Sequence, residues 1–133
     1  MTTLQRSGAY VDTTALLPID AGEQPVANTI LRRLEDFDFL FSANLLEAEV
    51  REALERQGRD FGDDILADIR WIMPNRPLAS EMAAIAGVAN LPAGRLWHLA
   101  TALFFAELIP SLAFITLDEQ QETVARELGL WIP

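Results

Sequence analysis

The run "LAFITLD" (Leu112–Asp118) is apolar almost without a break and ends in an acid. A strand with one wet face alternates apolar and polar residues; a strand covered on both faces does not. The run therefore predicts a central parallel strand of an α/β sheet. The residues after it agree. "EQQETVAREL" (Glu119–Leu128) has helical spacing and is stopped by Gly129, and "LWI" (Leu130–Ile132) offers a last short strand.

Upstream, strands and helices keep alternating. "GAYVD" (Gly8–Asp12) is a short apolar strand that also ends in an acid. "PVANTILRRLEDF" (Pro25–Phe37) places Val26, Ile30, Leu34 and Phe37 on one helical face, and "DFLFS" (Asp38–Ser42) reads as a strand. "NLLEAEVREALERQG" (Asn44–Gly58) is the clearest helix. Leu46, Val50, Ala53 and Leu54 form its apolar stripe, Asn44 or Ser42 supplies a cap, and Gly58 ends it. "FGDDILADIRWI" (Phe61–Ile72) is helical and passes into a short strand before Pro74. "LASEMAAIAGVA" (Leu78–Ala89) is a helix of small residues. "AGRLWHLATALFFAEL" (Ala93–Leu108) is apolar on nearly every side, as a buried helix is. This order predicts a layered α/β domain with a mainly parallel sheet.

Composition narrows the chemistry. A chain of 133 residues, half of them apolar, is expected to form one domain with one core. Cysteine is absent, which removes disulfides and thiolate metal sites and suits a reducing cytoplasm. No run reaches the roughly 18 apolar residues of a membrane span, and the start "MTTLQRSGAY" has no long apolar run with a cleavage site, so secretion is not expected. The net charge is −10, and all ten basic residues are arginines. Such a protein does not attract nucleic acid through bulk charge; an RNA-handling function would need a divalent metal, local arginines or a basic partner.

In open α/β sheets ligands gather beyond the carboxyl ends of the strands. Asp12 and Asp118 stand at two such ends, and Glu49 lies on the helix after the second strand, beside the apolar Val50. Three carboxylates brought together raise one another's pKa unless a cation relieves the repulsion. Magnesium or manganese suits an all-oxygen set and supports phosphodiester hydrolysis. Other acid-bearing folds fit less well. A haloacid-type phosphatase wants a second aspartate where Thr14 stands, a receiver domain needs a lysine, and there is no glycine-rich phosphate loop. One histidine and no cysteine make zinc chemistry improbable.

Four segments in order, "YVDTTALL" (Tyr10–Leu17), "FSANLLEAEVREAL" (Phe41–Leu54), "LWHLATAL" (Leu96–Leu103) and "FITLDEQQETVARELGL" (Phe114–Leu130), resemble the PIN domain, in particular VapC-type toxins of bacterial toxin–antitoxin pairs. The resemblance covers nearly the whole chain and implies a single PIN-like domain over residues 1–133. The implied fold is a three-layer α/β/α domain with a five-stranded parallel sheet. It implies a magnesium- or manganese-dependent endoribonuclease, a homodimer, and neutralisation by a small antitoxin. The family's acids fall on Asp12, Glu49 and Asp118, which would hold the metal and carry catalysis. Thr13 and Thr14 match the hydroxyl pair after the first acid, and Thr116 a polar residue near the last; Glu47 is a poorer match than Glu49.

One position departs from the pattern. The family usually has an aspartate three residues before the histidine of "LWHLATA", and here Arg95 stands there. Arg95 and His98 are one helical turn apart and share a face. By the resemblance, Arg95 points at the acids and would compete with a metal for them. His98 is read as a packed, hydrogen-bonded core residue rather than a ligand. Two functions are then open: a ribonuclease with a weakened metal site, or a PIN-fold binding protein in which Arg95 replaces the cation. Arg32, Arg33, Arg51 and Arg56 are candidates for RNA phosphate, although Glu52 with Arg56 also reads as a surface pair.

Overall fold

A computed structural model describes residues 7–21, 25–59 and 63–133. The chain runs β1 (Gly8–Val11), α1 (Thr13–Ala21), α2 (Val26–Glu35), β2 (Phe39–Ala43), α3 (Leu45–Arg56), α4 (Asp63–Leu66), β3 (Ile69–Ile72), α5 (Ala79–Ala86), α6 (Ala93–Ala106), β4 (Ala113–Ile115) and α7 (Glu119–Glu127). Phe61 and Gly62, the start of the helix expected at Phe61–Ile72, lie outside the described residues.

The sheet has the order β3-β2-β1-β4, with every pairing parallel. It is four-stranded, not five-stranded as the resemblance implied. The segment expected as the last strand makes one parallel bridge, Trp131 with Ala113, and one backbone bond, Phe114 N–H to Trp131 O at 2.8 Å. Two local features stop the pairing there. β4 is only three residues long, and Pro133 has no N–H to extend a ladder. Leu112–Asp118 is likewise corrected: β4 closes the four-stranded order instead of lying at its centre. Its apolar run reflects burial on both faces, since Ala113, Phe114 and Ile115 are all buried.

Strand residues divide by parity between two apolar clusters. Tyr10 and Phe114 join one cluster with Leu78, Ile85, Leu99 and Val124, from α5, α6, α7 and the turn before α5. Ala9, Val11, Ala113 and Ile115 join the other with Leu16, Ile30, Leu46, Val50 and Leu66, from α1 to α4. Tyr10 and Phe114 stack across the β1–β4 pair with ring centroids 5.5 Å apart. The expected stripe of α3 is buried as Leu46, Val50, Ala53 and Leu54. The middle of α6 is buried on consecutive positions from His98 to Ala102. Gly58 and Gly129 adopt positive φ, +66° and +89°, where α3 and α7 end.

Other local expectations need correction. Neither Asn44 nor Ser42 caps α3: Asn44 makes no capping bond, and Ser42 Oγ donates to Val11 O at 2.8 Å. Val26 is exposed rather than part of the buried face of α2. No helix among the described residues is long and apolar enough to cross a membrane.

An ion pair between the exposed Arg76 and the buried Glu81 fastens α5 to the segment before it. Arg76 grips Glu81 with two hydrogen bonds of 2.7 and 3.0 Å, and this holds the Glu81 carboxyl at about 2 against an ordinary 4.5. As pH falls, the unfolded chain takes up this proton first. The stabilisation is therefore complete above about 4.5 and is lost as pH falls towards about 2. Urea midpoints across that interval are expected to drop more steeply in the parent than in Arg76→Met. Parallel curves would remove the pair from acid unfolding.

Candidate functional site

The parallel topology brings the predicted acids to one end of the sheet. Asp12 follows β1, Asp118 follows the adjacent β4, and Glu49 lies on α3, which follows β2 on the other side of β1. The Asp12 N–H donates to Ile115 O at 2.9 Å, continuing the β1–β4 ladder into the site.

Asp12 is buried and heavily solvated by protein. Its Oδ2 accepts from the Thr14 N–H at 3.0 Å and the Thr14 hydroxyl at 2.6 Å, an Asx-type turn that starts α1. The Thr116 hydroxyl lies 3.2 Å from the same oxygen and 2.7 Å from Gln121 Oε1, so its one proton serves either acceptor. Gln121 Nε2 donates to Asp12 Oδ1 at 3.3 Å and to the Arg95 carbonyl at 3.2 Å. Asp12, Thr14, Thr116 and Gln121 thus form one polar network joining β1, α1, β4 and α7.

Among the described residues the Asp118 carboxylate has two partners. Its Oδ1 accepts from the Gln121 N–H at 2.7 Å and caps α7, while its Oδ2 is 2.9 Å from Arg95 Nε. The guanidinium expected among the acids is therefore there, bound to the last of them. Glu49 accepts from the Thr13 hydroxyl at 2.7 Å, and the same oxygen, Oε1, lies 2.6 Å from His98 Nε2. Burial raises the Glu49 pKa, but the His98 and Thr13 hydrogen bonds outweigh it and hold the carboxyl below its ordinary value. Among the described residues no three His, Asp or Glu side chains form a compact ligand group.

Glu47 stands outside this network and pairs with Arg51 at 3.1 Å. Arg51 also binds Asp63 at 2.8 Å, and Arg56 binds Glu52 at 2.8 Å, so two of the arginines considered for RNA are engaged by surface acids.

Three further site residues carry little local signal. Gln121 sits on the buried face of α7 with Val124 and Ala125, and an amide on an apolar face is the one hint of it. Tyr10 is fully buried with its hydroxyl bonded to His98, which nothing local in β1 announces. Gly94, in the first turn of α6, is where the chain makes room for Glu49: a Cβ there would lie 2.9 Å from Glu49 Oε2. The obstructing atom is the end of a flexible side chain, so Gly94→Ala is expected to fold at least as stably, helped by up to about 1 kcal/mol of helix propensity. It should also swing the Glu49 carboxylate away and weaken any ligand that Glu49 holds. Thermal melts and manganese titration of this variant check both halves; unchanged affinity would dissociate Glu49 from the metal.

No protein-family model, curated protein or solved structure matches the chain.

Proposed function

We propose that the chain is a metal-dependent endoribonuclease of the PIN, VapC-like type, with its metal site held by an arginine in the metal-free state. The observation that carries this reading is the position of Asp12, Glu49 and Asp118 at one end of a parallel sheet, with Arg95 on Asp118. The donor chemistry fits magnesium or manganese. All three groups are carboxylates, Asp12 Oδ1 has a single long donor among the described residues, and the missing side chain at Gly94 makes room for Glu49 Oε2. Asp12, Glu49 and Asp118 would hold the ion, and Asp118 would have to exchange Arg95 for it. When bound, the ion supplies charge stabilisation and an activated water for phosphodiester hydrolysis.

The chain's own residues supply the rest. Thr14 and Gln121 fix both oxygens of Asp12, His98 and Thr13 fix one oxygen of Glu49, and Asp118 is oriented by α7. Arg95, released from Asp118, is placed to take an RNA phosphate oxygen. The test is manganese titration by calorimetry together with cleavage of a structured RNA. Metal binding with metal-dependent cleavage is expected; neither binding nor cleavage would end the nuclease reading.

The Arg95–Asp118 pair favours a second reading, a PIN-fold binding protein in which the guanidinium permanently replaces the cation. Both readings take a small basic antitoxin-like protein as partner. A groove of about 540 Å³ supports this, with Leu31, Leu34 and Ile65 on its walls and Glu35, Asp64 and Asp68 on its rim. An apolar floor edged by acids suits a cationic amphipathic segment. A homodimer and a cytoplasmic location belong to the same proposal.

A further inference from the structure

We infer that Tyr10 and His98 form a directed hydrogen-bond relay that fixes His98 as its Nε2–H tautomer, so that it donates to Glu49 and acts as a positioning residue for that carboxylate. The direction follows from donor counting. The Ala43 backbone N–H donates to the Tyr10 hydroxyl at 3.1 Å, which leaves that oxygen with its own proton to give. His98 Nδ1 lies 2.6 Å from the same hydroxyl, and a neutral imidazole that meets a carboxylate at Nε2 presents a bare Nδ1 here to receive that proton. The imidazole proton then sits on Nε2, 2.6 Å from Glu49 Oε1. The opposite tautomer would set the Nε2 lone pair against a carboxylate oxygen at that distance, acceptor facing acceptor.

The relay has little room to rearrange. Tyr10 and His98 are 0 % and 1 % exposed, and Tyr10 is clamped between His98 and the stacked Phe114 ring. Buried polar chains of this kind hold one arrangement because every alternative strands a donor or acceptor away from water. The consequence appears at Glu49. Oε1 is committed to His98 and Thr13, and Oε2 is left beside Gly94 in the first turn of α6. A backbone N–H of β2 is thus linked to an acid on α3 through two side chains, from β1 and α6. The catalytic consequence rests on the nuclease reading; the tautomer does not.

The test uses the full chain with nitrogen-15 in its only histidine. Long-range proton–nitrogen correlation spectra are expected to show a protonated Nε2 and a bare Nδ1 in the parent. Tyr10→Phe removes the proton that Nδ1 receives, so the Nδ1 resonance should shift downfield while Glu49 keeps the imidazole proton on Nε2. A protonated Nδ1 in the parent, alone or together with Nε2, would overturn the relay, and so would an unchanged spectrum in Tyr10→Phe. Cleavage adds a second readout. Tyr10→Phe should lower kcat roughly tenfold with KM unchanged, the scale on which groups behind a ligand act. His98→Gln, whose amide can still donate to Glu49, should retain more cleavage than His98→Leu of equal thermal stability; equal losses would deny His98 a positioning role. Absence of cleavage in every protein, parent included, would overturn the nuclease reading while the spectra still decide the relay.

Discussion

Arg95→Asp is expected to bind manganese about 10- to 100-fold more tightly than the parent, the range over which groups around metal ligands change affinity. Two effects add. The substitution removes the guanidinium that holds Asp118 Oδ2 at 2.9 Å, and it places a further carboxylate one helical turn from His98. Metal-dependent cleavage should rise with affinity. The metal-free variant should be slightly less stable, because a half-exposed ion pair becomes a like-charge pair; the loss of the pair itself costs at most about 1 kcal/mol. Calorimetry on both proteins separates the two proposed functions. A parent that binds weakly and gains on substitution is a nuclease held back by Arg95. A parent that binds nothing, beside a variant that does, is a binding protein on a nuclease fold. Equal affinities would show that Arg95 has no part in the site.

Asp12→Ala is expected to abolish cleavage and also to destabilise the protein by about 1–3 kcal/mol, the cost of leaving buried donors without an acceptor. The donors are the Thr14 N–H, the Thr14 hydroxyl and Gln121 Nε2, around a carboxylate that is 2 % exposed. Asp12→Asn keeps an acceptor for Thr14 and loses the charge. It should therefore recover part of the stability and none of the cleavage, which separates the chemical role of Asp12 from its structural one. Denaturant unfolding and RNA cleavage measure the two. Parent-like cleavage by either variant would remove Asp12 from the reaction.

Much of this fold is legible in the chain because its signals are periodic. The apolar stripe of α3, the buried middle of α6 and the glycines at the ends of α3 and α7 each follow from local spacing or backbone freedom. Local signals do not announce α1. Pro18 lies inside it, and a proline in a helix interior normally argues against one; the Asx-type turn at Asp12 starts the helix regardless. The cap expected at Asn44 or Ser42 is absent because Ser42, buried at the end of β2, satisfies the Val11 carbonyl instead. The fifth strand is absent because pairing depends on the length of the neighbouring edge, which Leu130–Ile132 does not encode.

The order of apolar runs and acids, by itself, determined an α/β domain with a parallel sheet and carboxylates at its strand ends, because the side-chain periods of 2 and 3.6 residues are local properties. Tertiary structure alone decided how those acids are partnered. Arg95 reaches Asp118 across 23 positions of sequence, His98 reaches Glu49 across 49, and Tyr10 reaches His98 across 88. Hydrogen bonds and ion pairs act over about 3 Å. Which groups come within that range depends on strand order and helix packing, and no local spacing contains it.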